Sequence, residues 1–146
     1  MSHAITITTD MEYQPIDFPV LPEEQYKVAS SYVRSTHPTD HGQVEHAVLA
    51  MNGRVFYLLL NEEGMMRRLT YNGLATMLYL DSLPGNMKRT PIIVGTAVIV
   101  GRTGRGMWRG LTGDETTGLL AYLDQLASDI KGARESVLED IEWPSA

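Results

Sequence analysis

A pair of apolar runs joined by Asn52-Gly53 constrains the fold of this chain more than any other feature. The sequence reads EHAVLAM before the dipeptide and RVFYLLL after it. A type I′ turn needs a positive φ at both central positions, and Asn-Gly meets that need, so the two runs are predicted to form a β-hairpin. The second run is apolar at almost every position, which predicts a strand that is covered on both faces.

The remaining segments complete an α+β pattern. A strand is predicted over 4–10, a helix over about 23–34 that starts at Pro22, and a further strand over about 65–71 that extends the hairpin into a meander. A helix of about three turns follows, stopped by Pro84-Gly85, and then a pair of strands in TPIIVGTAVIVGRT and MWRGLT with Gly95 as a bulge or break. We therefore predict the order β-α-βββ-α-ββ-α, with an antiparallel sheet covered on one face by helices.

The last segment has the most regular pattern. Thr112 and Glu115 have the spacing of a capping box, with Asp114 as a competing N-cap, and apolar residues recur every three or four positions from Leu119 to Ile141. The pattern predicts an amphipathic helix over 113–142. An unbroken helix of this length would reach roughly 45 Å, which exceeds the width of a compact domain of this size. It therefore either breaks near Gly132 or packs its far end on another subunit, and we expect a homo-oligomer.

Composition limits the class of protein. The chain has 146 residues, which suits a single domain over 1–146 with an extended N-terminal arm over 1–22. It contains no cysteine, which excludes disulfides, thiolate metal sites and a cysteine nucleophile. The first twenty residues lack a basic segment followed by an apolar core, and no apolar run approaches the roughly 20 residues of a membrane span. We expect a soluble, cytoplasmic protein.

Charge is distributed unevenly along the chain. The net charge is −6, yet residues 54–109 carry eight basic residues and three acids. Seven of these eight are arginine, whose guanidinium suits bidentate contacts with phosphate or carboxylate groups. Alternatively, the acidic flanks fold over the basic centre and neutralise it.

The segment GRTGRGMWRGL at 101–111 is the main candidate for an anion site. It matches neither the phosphate-loop order nor the dinucleotide-binding order of glycines. Its glycines would let backbone N–H groups approach an anion, its arginines could bind phosphate oxygens, and a nearby aromatic ring could stack on a base. Tyr57 and Tyr71 are further stacking candidates. The predicted ligand-binding residues are Arg102, Arg105, Arg109, Trp108, Arg67, Arg68, Lys88 and Arg89. Strand alternation also allows a plain hairpin tip, with Trp108 in the core on the face opposite Arg109.

A histidine-rich loop offers a second chemistry. His37, Asp40, His41, Glu45 and His46 lie within ten residues, which raises the possibility of a metal site. Pro38 and Gly42 favour a solvated turn over the helix that such a ligand set needs. The tripeptide at 37–39 resembles the H-x-T unit of two-histidine phosphoesterases, but those enzymes need two copies and the chain has one.

Together these features favour a non-catalytic binding protein that recognises a small anionic ligand, such as a nucleotide or signalling nucleotide, without a metal or other cofactor. The acidic net charge disfavours duplex nucleic acid as a partner. One alternative is an acidic inhibitor or adaptor of viral or plasmid type that blocks a bacterial nuclease or defence system. Its acidic helix would carry Asp129, Glu135, Glu139, Asp140 and Glu142. Another is a small metal-dependent or phosphoesterase-type hydrolase that uses the histidine loop.

Overall fold

The protein folds into an antiparallel sheet with three helices. The computed structural model describes residues 2–83 and 92–140, with residues 135–140 described by their backbone alone. In chain order the elements are β1 His3–Ile7, β2 Tyr13–Asp17, α1 Pro22–Val33, β3 Val44–Met51, β4 Arg54–Asn61, α2 Gly73–Ser82, β5 Ala97–Arg102, β6 Trp108–Arg109 and α3 Gly113–Asp140. The predicted α+β class and the antiparallel sheet are confirmed.

The sheet has the strand order β2-β1-β5-β4-β3, and β6 pairs with the end of β5. All of these pairs are antiparallel. The predicted hairpin is confirmed as β3–β4: Met51 lies opposite Arg54, and Asn52 and Gly53 have φ of 50° and 75°. Both values are positive, as a type I′ turn requires.

The helices cover both faces of the sheet, so the prediction that they cover one face is wrong. Phe56 and Leu58 on β4 belong to the apolar cluster that includes residues of α2 and α3, whereas Tyr57 and Leu59 pack with residues of α1. Because β4 and β5 are apolar on both faces, each face needs its own cover. Leu58, Leu59, Val98 and Ile99 are fully buried as a result.

Two segments differ from the predicted strands. Residues 65–71 do not continue the hairpin. They form turns in which Arg68 has a φ of 53° and Leu69 N–H donates to Gly64 O, and Tyr71 makes an isolated bridge to Val94. Met65 and Met66 are 66% and 73% exposed, so the methionines that favoured a strand do not pack against the sheet.

In the predicted N-terminal arm, residues 13–17 form the edge strand β2. Hydrogen-bonded and non-hydrogen-bonded residue pairs alternate along the β1–β2 ladder. Phe18 N–H donates to Ser2 O and Thr8 N–H donates to Glu12 O, so these two pairs are hydrogen-bonded and the pair of Ile5 and Pro15 is not. By this alternation the backbone nitrogen of Pro15 faces away from β1. The proline therefore interrupts no hydrogen bond of the sheet.

Helix α3 is continuous through Gly132, so of the two alternatives the break is excluded, and packing of its far end on another subunit stays a prediction. Leu119, Leu123 and Leu126 are buried against the sheet, as the stripe predicted, but Ala133 is exposed. Among the described residues, no helix combines the length and the apolar character that crossing a membrane requires.

Candidate functional site

A cavity of about 500 Å³ opens where the ends of three neighbouring strands meet the first turn of α3. We call it the arginine cavity. Its lining residues are Arg54, Val55, Arg102, Thr103, Gly104, Arg109, Thr112 and Glu115.

The sheet register explains why Arg54, Arg102 and Arg109 lie at the same end of the sheet. Arg54 is the first residue of β4, directly after the Asn-Gly turn, and Arg102 is the last residue of β5. Phe56 lies opposite Gly101 across the β4–β5 ladder, and Gly101 lies opposite Arg109 on β6. Strand ends that are far apart in sequence are therefore neighbours at one end of the sheet.

Arg109 is committed to Glu115. Its Nη1 and Nη2 donate to Oε1 and Oε2 at 2.7 and 2.9 Å, which is the bidentate geometry that guanidinium and carboxylate favour. Its Nε also donates to Arg102 O, and Nη1 donates to Gly110 O. The pairing raises the pKa of Arg109. This guanidinium therefore fastens the β5–β6 hairpin to α3 instead of pointing freely at a ligand.

Glu115 also closes the predicted capping box of α3. Thr112 N–H donates to Glu115 Oε1 at 3.0 Å, and Glu115 N–H donates to Thr112 Oγ1 at 3.1 Å. The Glu115 side chain is 3% exposed. Hydrogen bonding from Arg109 lowers its pKa to about 2, helped by the Thr112 N–H and opposed by desolvation. Glu115 is thus a fixed anion in the wall of the cavity.

Arg54 and Arg102 are the cations with free hydrogen-bonding capacity here. Arg54 Nη1 lies 3.6 Å from Glu115 Oε2, which is an ion pair without a hydrogen bond, and the side chain is 60% exposed. The guanidinium carbon of Arg102 lies 5.7 Å from the ring centroid of Tyr57. Within residues 2–83 and 92–134, no acid forms a salt bridge with Arg102. The Arg102 guanidinium thus lies on the Tyr57 face of the sheet. Arg54 and Arg109 lie with Glu115 on the α3 face, and Arg102 borders the cavity at the end of β5.

Trp108 lies on the sheet face opposite Arg109, as strand alternation predicted. Its ring stacks on that of Tyr26 in α1, with centroids 6.1 Å apart and planes 7° from parallel. It packs against the apolar cluster of α1 and is half-buried. Tyr57 is buried and donates its hydroxyl to Gly106 O at 2.7 Å. Both rings contribute to packing on the α1 face of the sheet.

The other predicted ligand residues are dispersed. Arg105 is exposed at the tip of the β5–β6 hairpin and is not a lining residue of the arginine cavity. Arg67 pairs with Glu63 and donates to Thr39, far along the chain from the hairpin. Arg68 is exposed in the same turn region as Arg67. Lys88 and Arg89 lie outside the described residues.

Arg54 is absent from the predicted site residues because it lies outside the glycine-rich segment at 101–111. One signal could have found it, since a residue directly after an Asn-Gly turn must lie at an end of the sheet.

The histidine loop is organised around a buried carboxylate. Asp40 is 1% exposed and accepts hydrogen bonds from Ser35 N–H, Ser35 Oγ, Gly42 N–H and Asn61 Nδ2 at 2.6 to 2.8 Å. Desolvation opposes its ionisation, but these bonds outweigh it and hold the pKa of Asp40 well below its usual range. Asp40 is therefore a structural anchor, not a base that is free to take a proton from substrate.

The histidines around Asp40 do not gather with acids. His41 and His46 are exposed, and the His46 ring packs 4.4 Å from that of Tyr57. In the described part of the chain, no group of three histidine or acidic side chains is placed to hold a metal ion.

Comparison with known protein families, with curated proteins and with solved structures found no match to this chain.

Proposed function

We propose that the protein binds a small anionic ligand, of the phosphate-bearing nucleotide kind, in the arginine cavity and without catalysing its conversion. The observation that carries the proposal is the cationic lining of one cavity. Arg54 is 60% exposed, is not hydrogen-bonded to a described carboxylate and lies beside the Arg109–Glu115 pair, and Arg102 borders the same cavity. A cavity of about 500 Å³ falls within the usual range for small-molecule sites, which is roughly 300 to 1,000 Å³.

The fixed ion pair supports this role. Because Arg109 already neutralises Glu115 through two hydrogen bonds, the buried carboxylate repels an incoming anion less than an unpaired one would. Arg54 can turn toward a phosphate without leaving Glu115 unpaired. Thr103 Oγ accepts from Met107 N–H, so the hydroxyl proton can still be donated. The ligand would thus meet the Arg54 guanidinium and a hydroxyl, and it would meet the Arg102 guanidinium once that side chain turns away from the Tyr57 ring.

A thermal-unfolding panel tests the proposal. Inorganic phosphate, mononucleotides and cyclic and dinucleotide signalling molecules are added to the wild type, to Arg54→Ala, to Arg102→Ala and to the double variant. A ligand at 100 times its Kd stabilises the native state by about 2.7 kcal/mol, which raises the Tm measurably. Each substitution is expected to weaken binding about tenfold or more, because it removes charge-assisted hydrogen bonds.

The matched control is Arg134→Ala. Arg134 is exposed on α3, and it lies 19 residues from Glu115, or roughly 28 Å along the helix. Its removal changes the net charge equally and should leave the ligand-induced shift unchanged. If no phosphate-bearing compound raises the Tm, or if the double variant keeps the full shift, the proposal is wrong.

The inhibitor alternative stays a prediction. Of its acidic residues, Asp129 is exposed on α3, whereas the side chains of Glu135, Glu139 and Asp140, and the whole of Glu142, lie outside the described residues. This alternative predicts that a basic macromolecule co-purifies with the protein and is released by salt, and that no small molecule raises the Tm.

We also propose that the protein works in the cytoplasm as a homodimer joined through β3. Among the described strands, none pairs with the outer side of β3. Glu62 N–H donates to Gln43 O, so Gln43 and every second residue after it bond to β4. The backbone N–H and C=O groups of His46, Val48 and Ala50 therefore point away from β4. Val48 is 49% exposed. If two antiparallel copies of β3 meet with Val48 opposite Val48 of the second copy, then Glu45 lies opposite Met51 and no like charges face each other.

The mass in solution tests this assembly. The chain has a mass of 16.2 kDa, and light scattering should give about twice that value for the wild type. Val48→Lys should give the monomer mass, because it places two ammonium groups opposite each other. Val20→Lys is the control, since Val20 is 83% exposed and lies outside the sheet edge. A monomeric wild type, or a dimer that survives Val48→Lys, would exclude this interface.

A further inference from the structure

We infer that a second cavity, next to the arginine cavity, holds an aromatic ring of the ligand that bears N–H donors, as the guanine base does. This inference rests on the proposed function and narrows its ligand class. The second cavity has a volume of about 210 Å³ and lies between the β3–β4 turn and the first turns of α3. It is lined by Met51, Asn52, Arg54, Phe56, Asp114, Glu115, Gly118, Leu119 and Tyr122.

The two cavities are adjacent at Arg54 and Glu115, which line both of them. A guanidinium at this boundary can bind a phosphate on one side while its flat face contacts a ring on the other. One ligand with an anionic group and an attached ring would therefore occupy both cavities.

The walls of the second cavity suit a flat ring. Phe56 and Leu119 are buried core residues that present apolar surface at its base. Tyr122 Oη donates to Asp81 at 2.5 Å, which holds the phenol ring in place, and burial together with this bond raises the pKa of Tyr122 to about 12. Aromatic and aliphatic walls of this kind favour stacking over hydration.

Gly118 keeps the cavity open. It lies within α3, where glycine is a poor helix former, and a Cβ built on it would meet no atom within 4 Å. No described neighbour therefore requires a glycine here for packing. The missing side chain instead leaves room beside Leu119 and Tyr122.

The polar groups select the type of ring. Asp114 is exposed, lines the cavity and forms no salt bridge with a described residue. A carboxylate accepts hydrogen bonds and donates none, so its partner must offer N–H groups. Guanine presents two adjacent N–H donors on its Watson–Crick edge, whereas adenine presents an acceptor beside its amino group. The second cavity should therefore prefer guanine.

Calorimetric titration of the full chain with inorganic phosphate, GMP and AMP tests the inference. In the wild type, GMP should bind at least about tenfold more tightly than either phosphate or AMP, because ring burial and hydrogen bonds to Asp114 add to the phosphate contact. Gly118→Leu should reduce GMP affinity to that of phosphate and leave phosphate affinity unchanged. Asp114→Asn should remove most of the preference for GMP over AMP. Gly118→Ala adds only a methyl group and serves as the folding control.

The outcomes separate the inference from the proposed function. If phosphate, GMP and AMP all fail to bind, the proposed function fails and the inference fails with it. If phosphate binds but GMP binds no more tightly, or if Gly118→Leu binds GMP like the wild type, the ring site is wrong while the arginine cavity stands. Equal affinity for GMP and AMP would overturn the assignment of guanine.

Discussion

Two buried carboxylates, Asp40 and Glu115, show how similar side chains serve different ends in one molecule. Counted over the whole residue, Asp40 is 1% exposed and Glu115 is 6% exposed, and the pKa of each carboxyl is lowered. Neutral donors from Ser35, Gly42 and Asn61 surround Asp40. At Glu115, one guanidinium is hydrogen-bonded and a second lies 3.6 Å away at the edge of an open cavity. A lowered pKa therefore does not identify a functional site by itself. A ligand can interact with such a carboxylate and its cations only where they border a cavity that is open to solvent.

Removing Asp40 should have the largest effect. Asp40→Ala leaves four hydrogen bonds unmade, with donors on Ser35, Gly42 and Asn61, and each unsatisfied buried donor costs about 1 to 3 kcal/mol. Because water can enter the vacated space, we expect the free energy of unfolding to fall by about 3 to 5 kcal/mol in urea denaturation. Asp10→Ala, at an exposed turn position, should change it by less than about 0.5 kcal/mol. A loss under 1 kcal/mol at position 40 would mean that Asp40 is not the anchor of its loop.

The glycines near the two carboxylates should respond to alanine in opposite directions. Gly42 has a φ of 69°, and a Cβ there would contact Ser30 Oγ and lie 2.9 Å from Ser30 O. Gly42→Ala should therefore destabilise the protein by about 2 kcal/mol or more. Gly118→Ala meets open space in a helix and should stabilise it by up to about 1 kcal/mol. Denaturation midpoints that shift in the same direction would contradict this contrast.

Acid should weaken the contribution of Glu115 in a defined range. Its pKa is about 2 in the folded protein and about 4.3 in an unfolded chain. A depressed folded pKa means that the stabilisation is complete well above pH 4.3 and is lost as the pH falls toward 2. The stability difference between wild type and Glu115→Gln should thus shrink by about 2 kcal/mol between pH 6 and pH 3, measured by urea denaturation. A difference that is constant across this range would show that Glu115 is not held ionised by Arg109.

The smallest expected effect concerns the ligand. Glu115→Gln removes the anion from the arginine cavity and should raise the affinity for inorganic phosphate a few-fold at low salt, because Arg54 and Arg109 are freed from it. Asp40→Asn should leave that affinity unchanged, since Asp40 faces no cavity that Arg54 lines. Calorimetric titration of the two variants with inorganic phosphate measures these affinities. Equal changes in both would remove the functional distinction between the two acids.

The features that depend on neighbours along the chain are predictable from the sequence. The Asn52-Gly53 turn, the capping box of Thr112 and Glu115, and the opposite faces of Trp108 and Arg109 were all predicted, because each depends on residues within a few positions. The bidentate pair of Arg109 and Glu115 lies within the same range and could have been predicted from the capping box.

The rest depends on contacts between distant segments. Strand β2 exists because β1 offers it a free edge, and the turn at 62–69 depends on Leu69 packing near Gly64 and Gly95. Likewise, Arg54 and Arg102 border one cavity only because β4 and β5 pair, although the paired residues Phe56 and Gly101 are 45 positions apart in the chain. No local pattern encodes such a meeting, so the set of arginines that would share one site could not be chosen from the sequence.

Pro15 has a consequence for growth of the sheet beyond one molecule. With its ring nitrogen turned outward on β2, that edge lacks a donor in the middle of a five-residue strand and makes a poor template for a further strand. In the proposed β3 dimer, assembly would stop at two molecules, because each molecule uses its β3 edge and β2 offers no second edge for pairing. Pro15 would thereby prevent growth of this protein into fibres. Replacing it by a residue with a backbone N–H would give the sheet a second edge that can pair with another strand.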